Sequence, residues 1–413
     1  MRRLIAVVLL MILAGIPAAQ AKVLHKKPAA HQAAAAMPAN STPAVVKTAG
    51  IPFETSARQA IVIDANTGTV LYEKDADKRM PTASMSKVMT AYAVADALKK
   101  GEIHKDTLLE VSKNAWRPKS DNSLMFVELG ARIPVWDLVQ GMIVQSGNDA
   151  CVVLAEGIAG SEAAFVQRMN EASQKLGMTN SHFANATGLP DPEHYSTPRD
   201  LATLAVAYMR DFPDVAALDK QMDFTYHGIK QGNRNPLLYV PGLGADGVKT
   251  GHTEEAGFGL IGSAIQNGRR VIIVLSGMSS MAERAHESER VMRWAFDAFT
   301  GPTLFKAGEK VADADVWQGQ APKVTLTVKD DVAYLMPRAA APKLVVKAKF
   351  NAPVAAPVKA GQELGTLEIS APGLATKNGA AGRRRRRART KSFRAIELYN
   401  PIFAERPWGL DIL

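Results

Sequence analysis

Pro81-Thr82-Ala83-Ser84-Met85-Ser86-Lys87-Val88-Met89-Thr90-Ala91-Tyr92 sets a serine at the mouth of an apolar helix and a lysine one turn behind it. From Met85 to about Leu98 the chain is rich in Ala, Met, Val and Leu and free of Gly and Pro, which predicts helix. Residues three apart share a helix face, so Ser84 and Lys87 can touch. A serine hydroxyl is a weak nucleophile until a base takes its proton. Lysine serves as that base only where burial, a second cation or a helix dipole destabilises its ammonium. Taken alone, the pattern reads as a capping serine and a solvated lysine. The rest of the chain decides.

The 413 residues suffice for two or three domains, and 47 % hydrophobic with 22 % charged residues is an ordinary globular composition. The net charge of +10 is concentrated in residues 375–413, where ten Lys and Arg face three acids. The remainder is nearly balanced, so the charge does not argue for nucleic acid. Cys151 is the only cysteine, which rules out an internal disulfide, and its apolar helical setting predicts a buried packing thiol. Met1-Arg2-Arg3, the apolar run from Leu4 to about Ile16, and Ala19-Gln20-Ala21 make residues 1–21 a secretory signal peptide, too short for a comfortable membrane span. No cysteine follows the cleavage site, which excludes a lipoprotein anchor. The mature protein is expected from Lys22, in the periplasm.

Residues 22–50, dominated by Ala, Pro and Lys, read as a flexible leader, with order beginning near Pro52. Gln59–Asp64 and Thr69–Glu73 read as a hairpin across Ala65-Asn66-Thr67-Gly68. From about 100 to 245 the pattern is mostly helical, with Val135–Ile143, Ala150–Ile158, Glu162–Leu176 and Asp200–Asp211 as the clearest cases. Strands return at Gly257–Ile265 and Arg270–Met278, joined by Gln266-Asn267-Gly268-Arg269, and a helix runs from Met281 to about Phe299. The expected fold class is α+β: one antiparallel sheet built from both ends of residues 51–300, flanking helices and an inserted helical subdomain. Residues 301–372 read as a small, separate all-β domain, and 373–413 as a basic tail.

Two further clusters bear on Ser84. Ser146-Gly147-Asn148 lies in a turn before an apolar helix. It reads as a helix cap, or as a second hydroxyl that relays a proton beside an amide that holds a substrate. Asp246-Gly247-Val248-Lys249-Thr250-Gly251-His252-Thr253 reads as a polar edge strand. In a functional reading Gly251 lets a ligand backbone approach, Thr250 offers a hydroxyl, and Lys249 supplies the cation that destabilises the Lys87 ammonium. Ser-x-x-Lys, Ser-Gly-Asn and Lys-Thr-Gly in this order form a combination found in penicillin-binding proteins and class A β-lactamases. With Tyr195-Ser196-Thr197-Pro198-Arg199-Asp200, these motifs make residues 52–372 resemble the low-molecular-mass penicillin-binding proteins, secreted serine-type D-alanyl-D-alanine carboxypeptidases.

That resemblance implies roles residue by residue. Ser84 attacks the peptide carbonyl between the last two D-alanines of a peptidoglycan stem, with Lys87 as base. The backbone N–H groups of Ser84 and His252 form the oxyanion hole. Ser146 and Lys249 pass the proton to the leaving D-alanine, Asn148 holds the peptide, and Thr250 beside Gly251 binds the terminal carboxylate. Arg284 is a second carboxylate contact, or else a surface salt-bridge arginine. β-Lactams acylate Ser84 by the same route, and no cofactor is implied. A His252 triad lacks a partnered Asp motif. The eight histidines form no His-Glu-x-x-His pattern, so no metal is expected.

Three alternatives stand beside this reading: a D,D-endopeptidase of the same fold, a β-lactamase, and a non-catalytic cell-wall-binding protein. Ser-Gly-Asn in place of Ser-Asp-Asn argues against the second, and the complete motifs argue against the third. The tail departs from the family's amphipathic anchor: Arg383 to Arg387 is a five-arginine run, and Pro401 and Pro407 stop any long helix. It reads as a polybasic contact with anionic inner-membrane lipid, as a solvated tail, or as a shifted reading frame after Gly373.

Overall fold

Gly257–Gln266 and Arg269–Met278 are near-continuous apolar runs, a pattern that a sheet with one wet face would not tolerate. The computed structural model, which describes residues 46–48, 50–116, 123–370 and 389–395, shows why. The main sheet comprises β1 (Val46–Thr48), β2 (Gln59–Asp64), β3 (Thr69–Lys74), β4 (Ala245–Thr253), β5 (Gly257–Gln266) and β6 (Arg269–Met278). Its order is β1-β3-β2-β6-β5-β4, every adjacent pair antiparallel. Ile61, Ile261, Ile272 and Val274 face one core, with α1 (Lys87–Lys99) and α5 (Pro198–Asp211). Val62, Leu260, Val271 and Ile273 face a second core, with α6 (Met281–Asp297). Both faces are covered, so alternation has nothing to record. Each such side chain contributes about 1.5–3 kcal/mol.

The helices end where local chemistry dictates. Thr197 caps α5 by accepting from the Asp200 N–H, with Pro198 at the first position, and Ser280 caps α6 by accepting from the Glu283 N–H. Between the sheet halves, α2 (Val135–Val144), α3 (Asn148–Ala159) and α4 (Glu162–Lys175) build the helical subdomain. The buried Asp149 carboxylate ties it together, accepting from the N–H groups of Met125, Phe126 and Val127 at 2.8–3.1 Å.

The stretch before β2 is pinned to α6 by Glu287, which accepts from Thr55 Oγ1 and Ser56 N and pairs with Arg290. The Arg290 hydrogen bond, with those from Thr55 and Ser56, holds the Glu287 carboxyl down to about 2. A depressed carboxyl stabilises above its unfolded value and loses that contribution as pH falls through the folded one. Glu287→Gln is therefore expected to lower stability by about 1–3 kcal/mol near neutral pH. The difference should vanish toward about pH 2 in chemical denaturation.

Residues 310–370, with one later strand, carry a second six-stranded sheet. The sheet runs Val345–Phe350, Glu363–Ser370, Arg389–Ala395, Lys323–Val328, Lys310–Trp317, Val354–Ala355, around a core that includes Leu326, Val328 and Leu367. Phe299–Thr300 pairs with Met336–Pro337, and Arg338 donates to the Phe296 and Asp297 carbonyls, joining this domain to α6.

Four features differ from the sequence expectations. Val46–Thr48, inside the expected leader, pairs with β3 at the sheet edge. Arg389–Ala395, placed in the basic tail, pairs with both Glu363–Ser370 and Lys323–Val328; backbone pairing at a sheet gap is indifferent to a basic composition. Leu108–Glu110 with Arg132–Pro134, and Asp223–Tyr226 with Ile229–Gly232, add two antiparallel strand pairs to the stretch read as helical. The second turns through His227 and Gly228, both at positive φ, where histidine hid the usual Asn-Gly signal. The expected signal peptide, the five-arginine run and the remaining tail lie outside the described residues, whose helices include none long and apolar enough to cross a membrane.

Candidate active site

Ser84 sits in the 3-10 turn Ala83–Ser86, which leads directly into α1, and is partly exposed. Helix α1 is apolar nearly all round and buried along most of its length, so its first residue cannot send a side chain to water. Lys87 is 1 % exposed. Its Nζ lies 2.8 Å from Ser84 Oγ, 2.7 Å from Asn148 Oδ1 and 2.6 Å from the Thr187 carbonyl oxygen. Two of these partners can only accept, whereas the hydroxyl can also donate. A neutral amine would satisfy both carbonyls with its two N–H groups and turn its lone pair to Ser84.

Ser146 is buried between α2 and α3, with φ at +62°. At Gly147 a Cβ would stand 3.0 Å from the Met125 nitrogen, so the turn that carries Ser146 and Asn148 requires glycine. Lys249 is buried in β4, an edge strand, and its ammonium donates to the Thr250 carbonyl at 3.4 Å. Burial, then the charges of Lys87 and Arg234, push the Lys249 ammonium well below the usual lysine range. Lys87 and Lys249 line one small cavity. A Cβ at Gly251 would stand 2.9 Å from the Thr82 carbonyl oxygen and 3.1 Å from the Met85 nitrogen. Gly251 thus lets β4 lie against the Ser84 turn; the backbone it admits is the chain's own.

Residues 45–280 match the model of the D-alanyl-D-alanine carboxypeptidase family, and residues 299–373 that of the penicillin-binding protein 5 C-terminal domain. The chain belongs to the D-alanyl-D-alanine carboxypeptidase family. It is 37 % identical to the D-alanyl-D-alanine carboxypeptidase DacA of Escherichia coli K12, over 78 % of this chain and 81 % of the relative. Penicillin binding protein 5 from Haemophilus influenzae superposes with a TM-score of 0.72 at 33 % identity, covering 84 % of this chain and 98 % of that one. Penicillin-binding protein D2 from Listeria monocytogenes, solved in its cefotaxime-bound form, superposes with a TM-score of 0.54 at 32 % identity, covering 60 % and 99 %. The penicillin-binding fold and the C-terminal all-β domain expected from the sequence are those found.

Within this peptidase, other expected residues fall as follows. Thr250 is buried on β4, and the exposed His252 ring stacks on Phe258, its neighbour across the strands, at 3.8 Å. Arg284 is no surface salt-bridge residue: it is 6 % exposed and has no carboxylate partner among the described residues. Burial and the charge of Arg234 lower its guanidinium to about 10. The Asn148 oxygen, expected to serve a substrate, is engaged with Lys87. Cys151 is buried and its thiol is pushed up to about 12 by burial.

Two contributors were missed. Arg234 donates to Ser123 Oγ at 2.8 Å and adds its charge near Lys249 and Arg284. The loop Asn185–Gly188 brings the Thr187 carbonyl to Lys87, shaped by Asn185 Oδ1 accepting from Thr187 N, Thr187 Oγ1 and Gly188 N. Asn-Ala-Thr-Gly is a legible turn signal, but nothing in it names its target.

Proposed function

We propose that this protein removes the terminal D-alanine from peptidoglycan stem pentapeptides through an acyl-enzyme on Ser84. One observation carries the reading: a buried Lys87 whose nitrogen has two obligate acceptors and the Ser84 hydroxyl within 2.8 Å. As Ser84 Oγ attacks the carbonyl carbon between the two D-alanines, its proton passes to Lys87 Nζ. The oxyanion forms between the backbone N–H groups of Ser84 and His252, a reading supported by Gly251, beside His252, where β4 lies against the Ser84 turn. The C–N bond then breaks, and the proton reaches the leaving amine by way of Ser146 and Lys249. Water attacks the Ser84 ester, gives its proton to the base, and releases the shortened stem. Thr250 and Arg284 hold the free carboxylate of the substrate, in a region where Lys249, Arg234 and Arg284 gather positive charge. Penicillins and cephalosporins acylate Ser84 by the same first step. Secretion rests on residues 1–21.

The test is intact mass before and after a penicillin, with peptide mapping, and product analysis on pentapeptide stems and cross-linked muropeptides. One adduct on the Ser84 peptide and release of free D-alanine are expected. An adduct elsewhere would overturn the mechanism, and conversion of muropeptide dimers to monomers without D-alanine release would make the protein an endopeptidase.

A further inference from the structure

Behind Ser84, residues of α1, α2, α5, the turn Ala217–Lys220 and β4 line a small cavity, among them Lys87, Val88, Met142, Tyr208, Asp219 and Lys249, with room for about one water molecule. Asp219 belongs to none of the three motifs. It stands in the turn Ala217–Lys220 and is 2 % exposed, where an acid ordinarily carries an ion pair. No such pair is found among the described residues. The Tyr208 hydroxyl donates to Oδ1 at 3.5 Å, and Oδ2 has no hydrogen-bond partner. A Cβ at Gly247 would lie 3.1 Å from Oδ2, so the carboxyl is pressed against β4 two residues before Lys249.

The charged groups that face Asp219 are Lys249 and Asp246 from β4, Arg270 from β6 and, across the cavity, Lys87 from α1; Tyr208 faces it from α5. Arg270 pairs with Asp246 at 2.9 Å and compensates it. Lys249 in turn feels the like charges of Lys87 and Arg234, and opposite ones from Cys151 and Asp219. The Cys151 thiol keeps its proton at neutral pH. Asp219 is therefore the carboxyl that opposes the shift at Lys249, from a cavity wall that Lys87 also lines. Burial raises its carboxyl and lowers the Lys249 ammonium, while each opposes the other's shift, so the cluster titrates as one coupled system.

We propose that Asp219 is a positioning residue for acylation: its buried carboxyl, on the cavity wall that Lys87 and Lys249 share, compensates one of the two lysine charges. It thereby sets the pH range in which Ser84 is acylated. This rests on the acyl-enzyme reading of Ser84 and Lys87. Without the carboxylate, the two lysine nitrogens line one cavity with no opposing charge on its wall, which disfavours their charged forms and moves the cluster's titration to lower pH.

The experiment is the acylation rate of the full chain with a fluorescent penicillin, between about pH 5 and pH 10, for the wild type, Asp219→Asn and Tyr208→Phe. Asp219→Asn should move both limbs of the profile down by about one unit, a roughly tenfold loss on the alkaline side and a gain on the acid side. Tyr208→Phe, which removes the hydrogen bond favouring the carboxylate, should move them the same way by less. Unshifted limbs, even with a lower rate at every pH, would overturn the inference. If Asp219→Asn does not fold, the Tyr208→Phe profile decides by the same criterion. A wild type that carries no label on the Ser84 peptide would instead remove the acyl-enzyme reading, and this inference with it.

Discussion

Lys87→Ala is expected to slow acylation of Ser84 by a penicillin about a thousandfold or more, within the range for loss of a general base. The size follows from the hydrogen-bond inventory. Two partners of the Lys87 nitrogen are carbonyl oxygens that can only accept, whereas Ser84 Oγ, at 2.8 Å, can also donate its proton to the nitrogen. Ser146 and Lys249 are the other side chains given a part in moving the proton. The Lys249 ammonium already faces the Thr250 carbonyl, so neither replaces the missing base without rearrangement. Truncation leaves the Asn148 and Thr187 oxygens short of a donor, a cost of about 1–3 kcal/mol. Relief of the repulsion between the two lysines offsets part of that. The variant should therefore fold, with a melting temperature a few degrees from the wild type by circular dichroism. A folded variant that keeps more than about a tenth of the wild-type acylation rate would place the base elsewhere.

The sequence exposes some of this site and hides the rest for physical reasons. Ser84 and Lys87 are three apart on a helix, so their contact is a local property and legible in the chain. Asn267-Gly268 and the apolar strands around it specify their hairpin in the same local way, both turn residues adopting positive φ. Which strand lies against Ser84 is not local. Lys249 and Thr250 were tied to it through the motif set alone, and only the structure shows Gly251 as the place where β4 and the Ser84 turn touch. Thr187 takes part through a backbone carbonyl, which leaves no mark on residue type. Asp219 escaped for a different reason. A lone acid among Leu218, Lys220 and Gln221 looks like a solvated face, and burial is decided by α5 and β4, which meet it from elsewhere in the chain. Arg389–Ala395 is the hardest case, since sheet membership there rests on long-range pairing against its local basic texture.

Gly188→Ala should combine a loss of stability with a loss of acylation, because the glycine lies under the catalytic turn. Its φ is +82°, and a Cβ there would stand 2.0 Å from the Ala83 carbonyl oxygen and 2.5 Å from Ser86 Oγ. Backbone cannot yield cheaply at that distance. Either the Asn185–Gly188 loop lifts, taking the Thr187 oxygen away from Lys87, or the Ala83–Ser86 turn moves and carries Ser84 with it. Each route spoils the alignment of nucleophile and base, for which a misplacement of about 1 Å costs about a hundredfold in rate. The strain and overpacking together should cost about 2–4 kcal/mol. Gly177→Ala separates the two contributions: φ there is +75°, but a Cβ would meet nothing within 4 Å. That control should lose about 1 kcal/mol from the backbone strain alone and acylate at the wild-type rate. Acylation rates and denaturation midpoints that match for the two variants would show that the Asn185–Gly188 loop does not hold the Ser84–Lys87 pair in place.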